Sequence, residues 1–161
     1  MSGGLRVTED ELRAVFVRDL EVIDEAEFNR ARTMAARLRI PLEHAVVERG
    51  RLPLGFVLEQ LAQSWGVGFI DLKPPDVEPV ALTTLTEEYA RRNVLMPFRR
   101  DGERLHVAML DPRDKRAIDE ISRLTRLQVV PYLTRWYRVG LGLSVLGPVW
   151  LAIFGLCTVL D

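Results

Sequence analysis

From Val139 to Leu160 the chain runs through 22 residues without a single charge, and every other charged residue except Asp161 lies before it. A helix rises ~1.5 Å per residue, so this run reaches about 33 Å, enough to cross a ~30 Å hydrocarbon core. A helix apolar all round needs burial all round, and residues 1–138 hold too small a core to enclose one. Arg135 and Arg138 flank the run on one side, and Trp136 and Tyr137 sit where an interfacial aromatic belt falls. The expectation is a transmembrane anchor over residues 135–161, with the preceding part in the cytoplasm by the positive-inside rule. Pro148 would free the carbonyl of Ser144 and bend the helix, and Gly140, Ser144, Pro148 and Ala152 would give it a small-residue stripe. The competing reading makes the tail a truncation or frameshift product of a cytoplasmic protein.

The remainder has ordinary composition. The chain is 48% hydrophobic and 28% charged, with a formal charge of −1 and a pI near 6.2. That balance argues against a nucleic-acid coat or a polybasic membrane patch, both of which need excess positive charge. One cysteine excludes an intrachain disulfide, and with two histidines it argues against a Cys/His zinc site. Met1–Val7 is short and polar and carries no signal-peptide pattern.

Periodicity divides the first 134 residues in two. Residues 1–66 read as four helices. Thr8 and Glu11 have capping-box spacing, followed by Leu12, Val15, Phe16 and Leu20 at helical intervals. Asp24 and Glu27 repeat the start signal ahead of Phe28, Ala31, Ala35 and Leu38. Pro41 opens a third helix that Gly50 ends, and Pro53 opens a fourth, with Leu54, Val57, Leu58, Leu61 and Trp65 on its buried face. The segment Ile23–Phe28 is echoed 29 positions later by Leu52–Val57, an approximate repeat. Residues 67–134 read as a small α/β part. Gly68–Leu72 is a strand, residues 79–92 form two short helical turns, and Asp101-Gly102 joins two strands of a hairpin. Asp114–Thr125 is a surface helix with one apolar stripe, and Leu127–Leu133 is a last strand that Pro131 places at an edge. Thr134 would cap the apolar helix beyond. The fold class is α+β: a four-helix N-terminal subdomain, a small α/β subdomain and a C-terminal apolar helix.

No motif of catalysis is present. There is no P-loop, no dinucleotide fingerprint, no H-E-x-x-H, C-x-x-C or G-x-S-x-G. His44 and His106 stand without a nucleophile motif. Asp111, Asp114, Asp119 and Glu120 are interleaved with Arg113, Lys115 and Arg116, which is the pattern of a solvated, ion-paired helix. The chain is expected not to be an enzyme and to hold no metal.

Three stretches are distinctive: Gly66-Val67-Gly68-Phe69-Ile70-Asp71-Leu72, the run from Ala90-Arg91-Arg92 to Pro97, and Val107-Ala108-Met109-Leu110-Asp111-Pro112. With them, residues 20–134 resemble the N-terminal domain of the type II secretion and type IV pilus assembly ATPases, the GspE/PulE family. The resemblance implies a bacterial, non-catalytic module that docks on inner-membrane or cytoplasmic components of a secretion or pilus platform. In one branch of that family the domain binds cyclic di-GMP through tandem motifs of the form RLGxxLVxxGxLxxxxLxxxLxxQ. Aligned on Gly50, the second copy here keeps Leu42, Val46, Val47, Gly50, Leu52, Val57 and Leu61, the ligand-binding positions the resemblance implies. It departs at Pro41 for the motif Arg, Glu43 for the following Gly and Ser64 for the closing Gln. Proline offers no donor in place of an arginine fork, and Glu43 brings a carboxylate toward a phosphodiester ligand. The first copy has Leu20 or Glu21 in place of its glycine. Arg37, Arg39, Arg49 and Arg51 are the nearby cations that would replace lost phosphate contacts.

The reading is therefore a membrane-tethered protein-interaction or regulatory module without a required cofactor. The edge near Arg91, Arg92, Arg99 and Arg100 and the rim of the helical subdomain are its contact surfaces, and no nucleic acid is a partner. The alternative is a cyclic di-GMP sensor with a degenerate motif.

Overall fold

The computed structural model describes residues 7–135. They fall into two compact units, one ending at Gly66 and the other beginning at Val67. Among the described residues no helix is long and apolar enough to cross a membrane. The anchor expected over residues 135–161, with its uncharged run at 139–160, lies outside the described residues, Arg135 excepted.

The first unit is helical. Its chain starts at a complete capping box. The Glu11 N–H donates to Thr8 Oγ1 at 3.2 Å and the Thr8 N–H donates to Glu11 Oε2 at 2.8 Å. Helix α1 (Glu9–Arg13) then widens into a π-helical segment, Ala14–Asp19. The Leu20 N–H reaches back five residues to the Val15 carbonyl, so one residue is added to the turn. Regular helical spacing placed Leu20 on the apolar stripe with Leu12, Val15 and Phe16. The wider turn leaves Leu20 half-buried and brings Ile23 into the core instead. Glu21, at φ 50°, ends the segment.

Helix α2 (Glu25–Leu38) is capped by Asp24, whose Oδ1 accepts from the Glu27 N–H at 2.7 Å. Phe28, Ala31 and Ala35 are buried, and the Arg13 guanidinium lies 5.0 Å over the Phe28 ring. The stripe stops at Ala35: Leu38 is 53% exposed in the last turn. Helices α3 (Leu42–Gly50) and α4 (Leu54–Ser64) follow, each preceded by a proline at its cap position. The caps Asp24 and Pro53 stand 29 residues apart, the period of the sequence repeat. Gly50 does not supply the left-handed turn after α3; Arg51 does, at φ 51°. The glycine is there for close approach. A Cβ on it would stand 2.9 Å from Ile23 Cγ2 and 3.1 Å from Leu52 Cδ1. Val57, Leu58, Leu61 and Ala62 bury one face of α4, while Trp65 beyond it is half-buried and donates from Nε1 to Glu11 Oε1 at 3.2 Å.

The second unit carries β1 (Gly68–Ile70), α5 (Pro79–Leu82), α6 (Glu87–Asn93), β2 (Leu95–Asp101), β3 (Arg104–Met109), α7 (Lys115–Thr125) and β4 (Gln128–Thr134). The sheet order is β1-β4-β3-β2. Strands β2 and β3 form an antiparallel hairpin with Gly102 at φ 57° in its turn, and β4 runs parallel to both β3 and β1. Helix α7 supplies the crossover that a parallel β3–β4 pair requires. Its cap Asp114 accepts from the Arg116 and Ala117 N–H groups at 3.1 and 3.2 Å. Pro131 does not put β4 at an edge. Strand β1 joins β4 only from Tyr132 onward, past the proline whose missing N–H would break a ladder there. Thr134 ends that strand, and its hydroxyl donates to the Ile70 carbonyl at 2.8 Å; the apolar helix it was expected to cap lies outside the described residues. Leu95, Met96, Leu105 and Ile121 are fully buried at the centre of the unit.

The outer edge of β2 is closed by one residue. The Glu78 N–H donates to the Phe98 carbonyl at 2.7 Å, and Glu78 Oε2 accepts from the Arg100 N–H at 3.0 Å.

Candidate functional site

The motif positions read from the sequence fall in the helical unit. Leu42, Val46 and Gly50 lie four apart on α3, Val57 and Leu61 lie four apart on α4, and Leu52 sits in the turn between the helices against Gly50. Val46, Val57 and Leu61 are fully buried, and Leu42, Val47, Gly50 and Leu52 are half-buried. All seven are apolar, so what they build is packing. The polar positions of the motif differ in kind. Pro41 is the cap of α3 and offers no side-chain hydrogen bond. Glu43 is buried, and loss of water around its carboxyl pushes its pKa above the usual carboxylate value, against its own backbone N–H and His44, which lower it. Ser64 turns its hydroxyl back to the Leu61 carbonyl at 2.8 Å.

Polar chemistry gathers beside these positions, on α2 and the end of α3. Arg30, Thr33, Met34 and Arg37 recur at one-turn spacing along one face of α2. With Asn29 and Arg49 they line an open groove of about 390 Å³. Arg49 donates from Nε and Nη2 to Glu27 Oε2 at 3.1 and 2.8 Å, and Arg30 donates to Glu27 Oε1. Chiefly the bond from Arg49, and with it that from Arg30, holds the Glu27 carboxyl below the usual carboxylate range against some desolvation. Two guanidinia thus share one carboxylate, and the third in the groove, Arg37, has no ion pair among the described residues. Of the four cations read from the sequence as replacement phosphate contacts, the structure brings Arg37 and Arg49 to this groove. Arg39 and Arg51 instead take the left-handed turns that end α2 and α3. Arg30 was missed, although its spacing of two helical turns from Arg37 was the signal.

The second basic edge is engaged locally. Arg91 pairs with Glu87 at 2.6 Å, Arg92 lies 5.8 Å over the Tyr89 ring, Arg99 is 3.9 Å from Glu78, and Arg100 Nε donates to the Gly102 carbonyl at 3.2 Å. The acidic residues around α7 have separate tasks: Asp111 pairs with Arg113 at 3.1 Å, Asp114 caps the helix, and Glu120 accepts from the Tyr89 hydroxyl at 3.1 Å. His106 packs with Phe98 and Tyr132, ring centroids 6.0 and 5.6 Å away. Burial, and after it Arg99, lowers its pKa. Tyr132 lies flat against Gly68, where a Cβ would come within 2.4 Å of the ring.

Residues 65–137, the last residues of the helical unit and the α/β unit, match the family model of the MshEN domain. Pilus assembly ATPases named PilB align with the chain: 35% identity over 81 residues in Myxococcus xanthus, and 27% over 126 in Pseudomonas aeruginosa. Over these stretches the chain resembles the N-terminal domains of the type II secretion and type IV pilus assembly ATPases. The two alignments cover 50% and 78% of this chain but only 14% and 22% of the ATPases, so the chain spans less than a quarter of the curated relatives' length. The fold is shared with a solved structure of MshE with cdg (TM-score 0.65, 23% identity, 86% of this chain and 98% of that one). It is shared also with the N-terminal domain of XpsE (TM-score 0.51, 14% identity, 86% and 96%). The MshEN match begins after Ser64, so the seven expected ligand positions precede it.

Proposed function

We propose that this chain is a non-catalytic docking and regulatory module of a type II secretion or type IV pilus platform. On this reading residues 139–160 tether it to the bacterial inner membrane, and both described units face the cytoplasm. The observation that carries the reading is the similarity itself: the matched stretch makes up less than a quarter of much longer ATPases, and its fold is that of the N-terminal domain of XpsE. The arginine groove on α2 and α3 adds a surface with unspent hydrogen-bond donors. Its partners are inner-membrane or cytoplasmic platform components.

The test is to titrate the full chain in detergent against the purified cytoplasmic domains of its host's platform proteins. A saturable complex with at least one of them is the expected result, and failure of all of them to bind refutes the reading. Carbonate extraction of the full chain beside a chain ending at Arg138 tests the tether: only the former should stay in the membrane.

A second reading is favoured by the likeness to MshE with cdg: a cyclic di-GMP sensor using Leu42, Val46, Val47, Gly50, Leu52, Val57 and Leu61. Pro41, the buried Glu43 and Ser64 stand against it, because they replace the positions that would contact guanine and phosphate. Titration with micromolar cyclic di-GMP decides between the two. The docking reading expects no heat of binding to the wild-type chain.

A further inference from the structure

We propose that the groove on α2 and α3 receives an acidic segment of a protein partner, whose carboxylates bind Arg30 and Arg37. This rests on the docking reading and names the surface it uses. Between Glu27 and Glu43 the chain carries four arginines and no carboxylate, although the whole molecule is net negative. The acidic residues Glu9, Asp10, Glu11, Asp19, Glu21, Asp24 and Glu25 lie before that stretch, on and between the first helices. A local positive patch on a net-negative protein steers oppositely charged partners to one place.

Two of the arginines that line the groove already pair with a carboxylate outside its lining. Glu27 sits between Arg30 and Arg49 and takes charge-assisted hydrogen bonds from both. Those bonds hold two long side chains in place, which lowers the entropy lost when a second carboxylate arrives. Arg37 is exposed and has no ion pair among the described residues, so its planar fork is open to a bidentate bond. Arg30 and Arg37 are seven residues apart on α2, about 10 Å along the axis. Carboxylates two helical turns apart on a partner match that repeat. The groove is open, and Met34 gives it an apolar floor suited to a side chain lying between the charges.

The experiment uses the full chain in detergent and a fluorescein-labelled helical peptide bearing two glutamates seven residues apart. Its counterpart carries glutamine at both places. Anisotropy should report salt-sensitive binding of the glutamate peptide, at least tenfold weaker binding of the glutamine peptide, and a similar loss with Arg37→Glu. Arg37→Gln, which removes the charge without reversing it, should lie between. Arg123→Glu on α7, a reversal outside the groove, should leave the affinity unchanged. Equal binding by wild type and Arg37→Glu, or no binding to wild type, overturns the proposal. So does displacement of the peptide by micromolar cyclic di-GMP or inorganic phosphate, which would make the groove a small-anion site. A platform domain that binds Arg37→Glu as well as wild type would leave docking standing and remove this surface. Acidic-peptide binding with no platform complex would do the reverse.

Discussion

Gly50→Ala separates two explanations for a glycine that the nucleotide motif also demands. Gly50 is the last residue of α3 and has no left-handed backbone angle, so alanine is conformationally allowed there. By helix propensity alone the change should stabilise by about 0.5–1 kcal/mol. The new methyl, however, would stand 2.9 Å from Ile23 Cγ2, against a favourable carbon–carbon separation of about 3.5–4.0 Å. Ile23 is buried and stiff at its branched Cβ, so it cannot swing aside as the tip of a long side chain would. Overpacking of this kind costs about 1–3 kcal/mol. The net expectation is a loss of about 1 kcal/mol, or about 4–8 °C in the melting of a unit this size. Thermal melts by circular dichroism and hydrogen exchange across α3 and α4 would read it. Ile23→Ala loses stability alone, but the double variant should recover the clash, giving a coupling energy of about 1 kcal/mol. A Gly50→Ala chain more stable than wild type refutes the reasoning. A destabilised one shows that packing alone accounts for the retained motif glycine.

Gly68→Ala should cost more, about 2–3 kcal/mol, because its Cβ meets the Tyr132 ring at 2.4 Å; near-ultraviolet circular dichroism would show the ring displaced. Glu43→Gln should stabilise the helical unit at pH 7. The Glu43 pKa is raised in the fold, so its share of stability is present below the unfolded carboxylate pKa and lost as pH rises through the folded value. Urea melts across pH 4–7 should flatten in the variant. Tyr89, pushed up to about 12 first by burial and then by its bond to Glu120, contributes stability below pH 10 that is lost between pH 10 and about 12. Absorbance titration at alkaline pH should show a late phenol that Tyr89→Phe removes. His106 has the opposite sign for a base. Its folded pKa is lowered, so stability falls as pH drops below about 6.5, and His106→Phe should abolish that part of the acid sensitivity in a pH series of melts.

Local signals were legible in the sequence where one residue decides one bond. Thr8 with Glu11, Asp24 with Glu27 and Asp114 all cap the helices they precede, and Asp101-Gly102 turns the hairpin. Signals that depend on a distant partner were not. Pro131 reads as an edge residue until β1 is known to meet β4 only beyond it. The π-helical turn that moves Leu20 aside and seats Ile23 has no local signature, since regular helical spacing fits the same residues. Gly50 reads as a helix stop, whereas its reason lies 27 residues away in Ile23. At the candidate site, Arg37 and Arg49 could be singled out by charge. Arg30 joins them only because α2 continues unbroken to Leu38, and the shared Glu27 becomes visible only when α3 lies beside α2.

Glu78 has a bearing on the behaviour of this protein at high concentration. The rim of a sheet offers a row of free N–H and C=O groups on which foreign chains can nucleate. On β2 that row is stoppered by a single residue, which spends its main chain on Phe98 and its carboxylate on the Arg100 amide. The opposite rim, β1, is only three residues long. Glu78 therefore guards against strand-to-strand aggregation, and glycine in its place, which keeps the main-chain bond but loses the carboxylate, would free the Arg100 amide on the sheet's longer rim.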